Sequence, residues 1–121
     1  MAAAAARLHT ALDAARRLDQ LVEWCANDKE PDEFEGCLIF DEAHKAKHLQ
    51  TDAARGGQGG SQTAKAVVEI QRRLPNARVL YVSATAAAET KDLGYMTRLG
   101  LWGRGTAFGD FEAFSKGIER A

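Results

Sequence analysis

Cys37-Leu38-Ile39-Phe40-Asp41-Glu42-Ala43-His44 is a short continuous apolar run that stops at two adjacent carboxylates. An apolar run of this length, bounded by polar residues, predicts a strand buried on both faces of a parallel sheet. Asp41 and Glu42 then stand at its C-terminal end. Carboxylates at the lip of a core lose hydration, and a bound cation would offset that loss. The bland alternative is that the two acids cap the helix that follows, where negative charge is favourable.

Working outward, a short helix is expected from His44 to Leu49, followed by Ala53-Ala54-Arg55-Gly56-Gly57-Gln58-Gly59-Gly60-Ser61, too rich in glycine and small residues to hold a fixed structure alone. A mobile loop over 50–62 is the reading. Val67, Ile70 and Leu74, with Val68 beside them, predict a helix from about Gln62 to Leu74, stopped by Pro75-Asn76. Val79-Leu80-Tyr81-Val82 is a second strand, and it delivers Ser83-Ala84-Thr85 at its own C-terminal end. Strand, helix, strand in this order implies a βαβ crossover with parallel strands, and ligands of such sheets bind outside the strands' carboxyl ends.

Upstream, Leu8, Leu12, Ala15, Leu18, Leu21, Val22 and Cys25 recur at the spacing of one helical stripe, and Asn27-Asp28-Lys29-Glu30-Pro31 should end that helix. Downstream, Glu89 to Leu99 reads as a helix closed by Gly100, and Phe111, Phe114 and Ile118 mark a terminal helix. Gly100 to Thr106 between them is an irregular turn, with Trp102 as its anchor.

The order Asp41-Glu42-Ala43-His44 after one strand and Ser83-Ala84-Thr85 after the next resembles motifs II and III of superfamily-two helicases. Further segments resemble the ATPase region of strawberry notch proteins: Arg17-Leu18-Asp19-Gln20-Leu21 with Trp24-Cys25, Phe40 to Leu49, Gln71 to Val79, and Tyr95-Met96-Thr97-Arg98-Leu99-Gly100-Leu101-Trp102-Gly103. The resemblance runs from about Arg16 to the C-terminus, leaving 1–15 as an Ala-rich extension of which Met1 to Ala6 is unlike the family. It implies an α/β fold in which 16–121 form the C-terminal half of a RecA-like P-loop NTPase domain, a three-layer αβα sandwich that is incomplete here.

By the same resemblance, Asp41 holds Mg²⁺ through its water shell, Glu42 activates the attacking water, and His44, Ser83 and Thr85 couple nucleotide state to movement of a nucleic-acid-binding surface. ATP and Mg²⁺ are the implied cofactors of the complete motor. The implied partners are DNA or RNA, transcription or chromatin factors, and the missing RecA-like portions of the same motor. The implied location is the nucleus. Ala43 stands where family members often have Cys, and Ala86-Ala87-Ala88-Glu89 replaces a more polar stretch; neither change removes a catalytic group.

One motif of such a motor is absent from the sequence. Nothing fits Gly-x-x-x-x-Gly-Lys-Ser/Thr, the loop whose amides and lysine hold the phosphates, and Gly56 to Lys65 is a decoy because its glycines are not followed by Gly-Lys. No nucleotide is therefore expected to bind this chain tightly. A non-catalytic interaction module in transcription regulation is the alternative function.

Composition excludes other classes. In 121 residues, 45% hydrophobic and 27% charged content is that of one globular domain, and the net charge of −1 provides no bulk attraction to nucleic acid. No apolar stretch reaches the roughly 20 residues of a membrane span, and Arg7 and His9 follow the opening alanines where a signal peptide would have its greasy core. Cys25 and Cys37 read as reduced core thiols of an intracellular protein. His44 and His48, four apart beside the acids, are too few for a zinc site. His9, Arg72, Arg73 and Arg78 read as surface residues.

Overall fold

The computed structural model describes residues 2–46, 61–85 and 89–120, with side chains from residue 13 onward in the first helix. Helix α1 (Ala2–Ala26) precedes a 3-10 turn at Pro31–Glu33, strand β1 (Cys37–Phe40) and a 3-10 turn at Ala43–Ala46. Helix α2 (Gln62–Arg73), strand β2 (Arg78–Tyr81), a 3-10 turn at Thr90–Leu93 and helix α3 (Phe111–Glu119) follow. Residues 50–60 of the expected loop lie outside the described residues. Its last two residues are not loop: Ser61 is the N-cap of α2, its hydroxyl accepting from the Ala64 amide at 3.2 Å, and Gln62 is the first residue of that helix.

α1 ends where the polar residues begin, through backbone that turns left-handed at Asn27 (φ 49) and Asp28 (φ 66). Asn and Asp are the side chains that tolerate this region, so the stop is local. Pro31 then opens the next 3-10 turn, where its missing N–H costs nothing. The stripe of α1 carries Leu18, Val22 and Cys25 onto Ile70 and Leu74 of α2, with Ala77, Phe34 and Leu38 completing that half of the core.

β1 and β2 are parallel, in the register Cys37↔Arg78, Leu38↔Val79, Ile39↔Leu80 and Phe40↔Tyr81. The expectation of a strand buried on both faces does not hold. Phe40 and Leu38 meet the helices, whereas Ile39 is 64% exposed and its partner Leu80 51%. Alternate side chains of a strand point to opposite faces, and on one of them Leu38 and Phe40 pack against the cluster of Val22, Ile70 and Leu74.

The helix expected over Glu89 to Leu99 is replaced by the 3-10 turn Thr90–Leu93 and an irregular segment. Here backbone groups are used by tertiary partners. The Tyr95 carbonyl accepts from Gln71 Nε2 at 2.9 Å, and the Arg98 amide donates to the Tyr81 hydroxyl at 3.3 Å. Of the helix expected from His44 to Leu49, Ala43–Ala46 forms a 3-10 turn and 47–49 lie outside the described residues.

The segment is held by two devices. Gln71, 1% exposed, uses its whole amide: Nε2 donates to the Val67 and Tyr95 carbonyls, and Oε1 accepts from the Tyr81 and Thr97 hydroxyls. Arg98 lays its guanidinium over the C-terminus of α2, Nη2 donating to the Gln71 and Leu74 carbonyls at 2.6 and 3.0 Å, and Nη1 to Pro75 and Ala77 at 2.7 and 3.2 Å. It meets the orphan carbonyls and the negative end of the helix dipole together.

Trp102 is the anchor that its glycine-rich surroundings suggested, its ring centroid 4.9 Å from Phe111 and 5.3 Å from Phe114. Of the two cysteines, Cys25 is partly covered and its thiol is pushed up by burial, while Cys37 is exposed and so is not the core thiol expected.

Candidate active site

The two polar motifs lie side by side because their strands do. Val82 continues the ladder by donating its amide to the Phe40 carbonyl at 2.9 Å, and its own carbonyl accepts from the Ala43 amide at 2.9 Å. The turn that carries Asp41 and Glu42 is thereby fastened to the strand that carries Ser83. Within it, Asp41 Oδ1 accepts from the Glu42 amide at 2.8 Å, and Glu42 sits at φ 53. A side chain other than glycine in the left-handed region is uncommon and costs on the order of 1 kcal/mol, a kind of strain that clusters at functional sites.

Four of the five predicted site residues form one chain of contacts. His44 Nδ1 lies 2.9 Å from Ser83 Oγ and 3.2 Å from Glu42 Oε2. Ser83 Oγ lies 2.9 Å from the Thr85 carbonyl, to which it donates, and accepts from the Thr85 amide at 3.3 Å. Ser83 Oγ is placed to donate to Thr85 and a carboxylate only accepts, so a hydrogen on Nδ1 is the arrangement that serves both contacts. Asp41, the fifth residue, joins through the backbone of Glu42.

Asp41 and Glu42 are exposed and His44 half-buried, so the acids open to solvent while the link between strands is sheltered. Two hard oxygen donors at a strand's C-terminal lip fit a hydrated Mg²⁺, which binds through one or two carboxylates and keeps several waters. Among the described residues no group of three His, Cys, Asp or Glu side chains is placed to hold a metal ion by itself. His48 of the rejected zinc pair lies outside the described residues.

The wall behind the turn contains residues that motif reading missed. Lys45, Thr63 and Tyr95 line a cavity there together with Phe40, Asp41 and Glu42. Burial, with Tyr81 and Asp92 nearby, pushes the Tyr95 phenol up, so it keeps its proton at neutral pH. Tyr81 is raised by burial as well, opposed by the Arg98 charge and hydrogen bonds. A usable signal existed for Gln71, which bonds the Tyr81 hydroxyl and the Tyr95 carbonyl: it lies four after Val67, on the apolar face of α2, where an amide needs partners. The surface reading of the arginines holds in part, since exposed Arg72 pairs with Glu69, whereas Arg73 reaches Asp19 on α1 at 2.6 Å and ties the two helices.

The family model of the P-loop containing NTP hydrolase pore-1 matches residues 3–121. Protein strawberry notch of Drosophila melanogaster is 50% identical over 104 residues, which are 86% of this chain and 6% of that protein. The chain belongs to the strawberry notch family. Protein FORGETTER 1 of Arabidopsis thaliana is likewise 50% identical over 104 residues, and human strawberry notch homolog 1 is 46% identical over the same length. Each of these two alignments covers 86% of this chain and 7% of the relative. The chain thus spans less than a tenth of the strawberry notch proteins it matches. No solved structure matches it.

The family match places the chain in a P-loop containing NTP hydrolase family. The two-stranded parallel sheet with its helices agrees with part of such an α/β fold. No helix among the described residues is long and apolar enough to cross a membrane.

Proposed function

We propose that this chain supplies the water-activating and coupling motifs of an ATP-driven nucleic-acid motor, within a RecA-like domain completed by other parts of a longer protein. The observation that carries the reading is the chain of contacts from the Glu42, His44 and Ser83 side chains to the Thr85 backbone, which joins the C-terminal ends of two adjacent parallel strands. In an ATPase that junction lies between the hydrolytic water and the surface that must move.

Mg²⁺, when bound with nucleotide, neutralises charge on the β- and γ-phosphate oxygens. Asp41 is the residue to hold it, through water, with its carboxylate oriented by the Glu42 amide. Glu42 takes a proton from the attacking water, its carboxylate held toward the strand ends by His44 at 3.2 Å. His44, Ser83 and Thr85 report the state of that carboxylate to β2. The bare sheet face with Ile39 and Leu80 supports a third layer on the other side, since covering each such side chain contributes about 1.5–3 kcal/mol. The partners that follow are DNA or RNA and transcription or chromatin factors, with the nucleus as the place of action.

Two results test this reading. The chain alone should bind Mg-ATP no more tightly than about millimolar by calorimetry, because the groups that hold the β- and γ-phosphates are not in it; tight, Mg²⁺-dependent binding would remove the need for a loop supplied from elsewhere. In a protein that joins the chain to a phosphate-binding loop, Ser83→Ala should leave basal hydrolysis within about threefold and lower its stimulation by nucleic acid about tenfold. Undiminished stimulation would take the coupling role away from Ser83.

A further inference from the structure

Beneath the acidic turn is a partly enclosed cavity of about 120 Å³, bounded by Phe40, Asp41, Glu42, Lys45, Thr63 and Tyr95. Tyr95 is 0% exposed, and its hydroxyl has no hydrogen-bond partner among the described residues. Buried hydroxyls are almost always paired, often with an ordered water when the space is polar and large enough, and this space exceeds what one water needs.

The chemistry of the walls restricts the occupant. The Tyr95 hydroxyl and the Lys45 ammonium donate, the Thr63 hydroxyl does both, and the Asp41 and Glu42 carboxylates only accept. An occupant that satisfies both must accept a hydrogen bond and donate another. An anion would meet two carboxylates against the single ammonium of Lys45, and an apolar group would leave the hydroxyl unpaired. Water does both. Tyr95 also belongs to the core cluster that contains Ala46 and Ala43, the latter immediately after the strained Glu42.

We propose that this cavity is a hydration site, in which Tyr95 donates to an ordered water that donates in turn to the Asp41–Glu42 turn, making Tyr95 a positioning residue for Glu42. The positioning half rests on the role given to Glu42 above; the hydration half does not.

The test is a high-resolution crystal structure of the full chain and of Tyr95→Phe, with unfolding measured on both. A water within about 2.5–3.0 Å of Tyr95 Oη, lost or displaced in Tyr95→Phe, together with a lower unfolding midpoint, is the expected result. A dry cavity, a protein side chain bonded to the hydroxyl, or a Tyr95→Phe chain more stable than the parent overturns the site. The last is what removal of an unpaired hydroxyl produces.

For positioning, Tyr95→Phe in the motor joined to its phosphate-binding loop should lower kcat about tenfold with KM unchanged. Unchanged kcat with the water present overturns the positioning role. Should Glu42→Gln retain turnover while the water is present, the catalytic reading of Glu42 fails and the hydration site stands.

Discussion

Glu42→Gln, made in a protein that joins this chain to its phosphate-binding loop, is expected to lower ATP turnover by roughly 10²–10⁴-fold while nucleotide affinity stays within a few-fold. The substitution is nearly isosteric, and its amide oxygen can still accept from His44 Nδ1, which lies 3.2 Å from Glu42 Oε2. What is lost is the basicity that takes a proton from water. Asp41, which would hold the cation, is untouched, so binding should survive. Steady-state hydrolysis measured beside nucleotide titration separates the two effects: turnover within tenfold of the parent removes Glu42 as the base, and a parallel loss of affinity moves it into the binding machinery.

Arg98→Ala is expected to destabilise the fold by about 3 kcal/mol, read from denaturant unfolding. The guanidinium donates to four carbonyls, those of Gln71, Leu74, Pro75 and Ala77, and Leu74 is fully buried. Hydrogen bonds from a charged donor contribute more than neutral ones, and the loss leaves several acceptors unpaired at the negative end of α2. Arg98→Lys should recover only part of the loss, because an ammonium cannot span four carbonyls with a planar fork. Of a total that is ordinarily about 5–15 kcal/mol, this is a large share. A change below about 1 kcal/mol would show that water replaces the guanidinium at no cost.

These two residues were not equally visible in the sequence. Glu42 announces itself, because an apolar run ending in paired acids, with Ser83-Ala84-Thr85 after the next apolar run, is a pattern in the chain itself. Arg98 carries no such mark. Its value lies in four carbonyls contributed from 21 to 27 residues earlier, and no local pattern encodes that distance.

The same division explains the failed helix over Glu89 to Leu99. Leu93, Met96 and Leu99 have helical spacing, yet the Tyr95 side chain enters the core and the Tyr95 carbonyl binds Gln71, so tertiary partners displaced local propensity. It also explains Ile39 and Leu80. A run of apolar residues says that a strand wants cover on both faces, and only the assembled helices decide which face receives it.

By itself, then, the sequence determined the parallel βαβ unit, the stops of α1 and α2, and the arrival of two polar motifs at the same edge of the sheet. Each follows from periodicity, turn chemistry and handedness, which act within a few residues. Tertiary structure alone decided that His44 meets Ser83 at 2.9 Å, that Arg98 closes α2, and that Tyr95 stands behind the acids. Those depend on which carbonyls and hydroxyls remain unpaired once the helices have packed on the sheet, a condition that exists only in the folded chain.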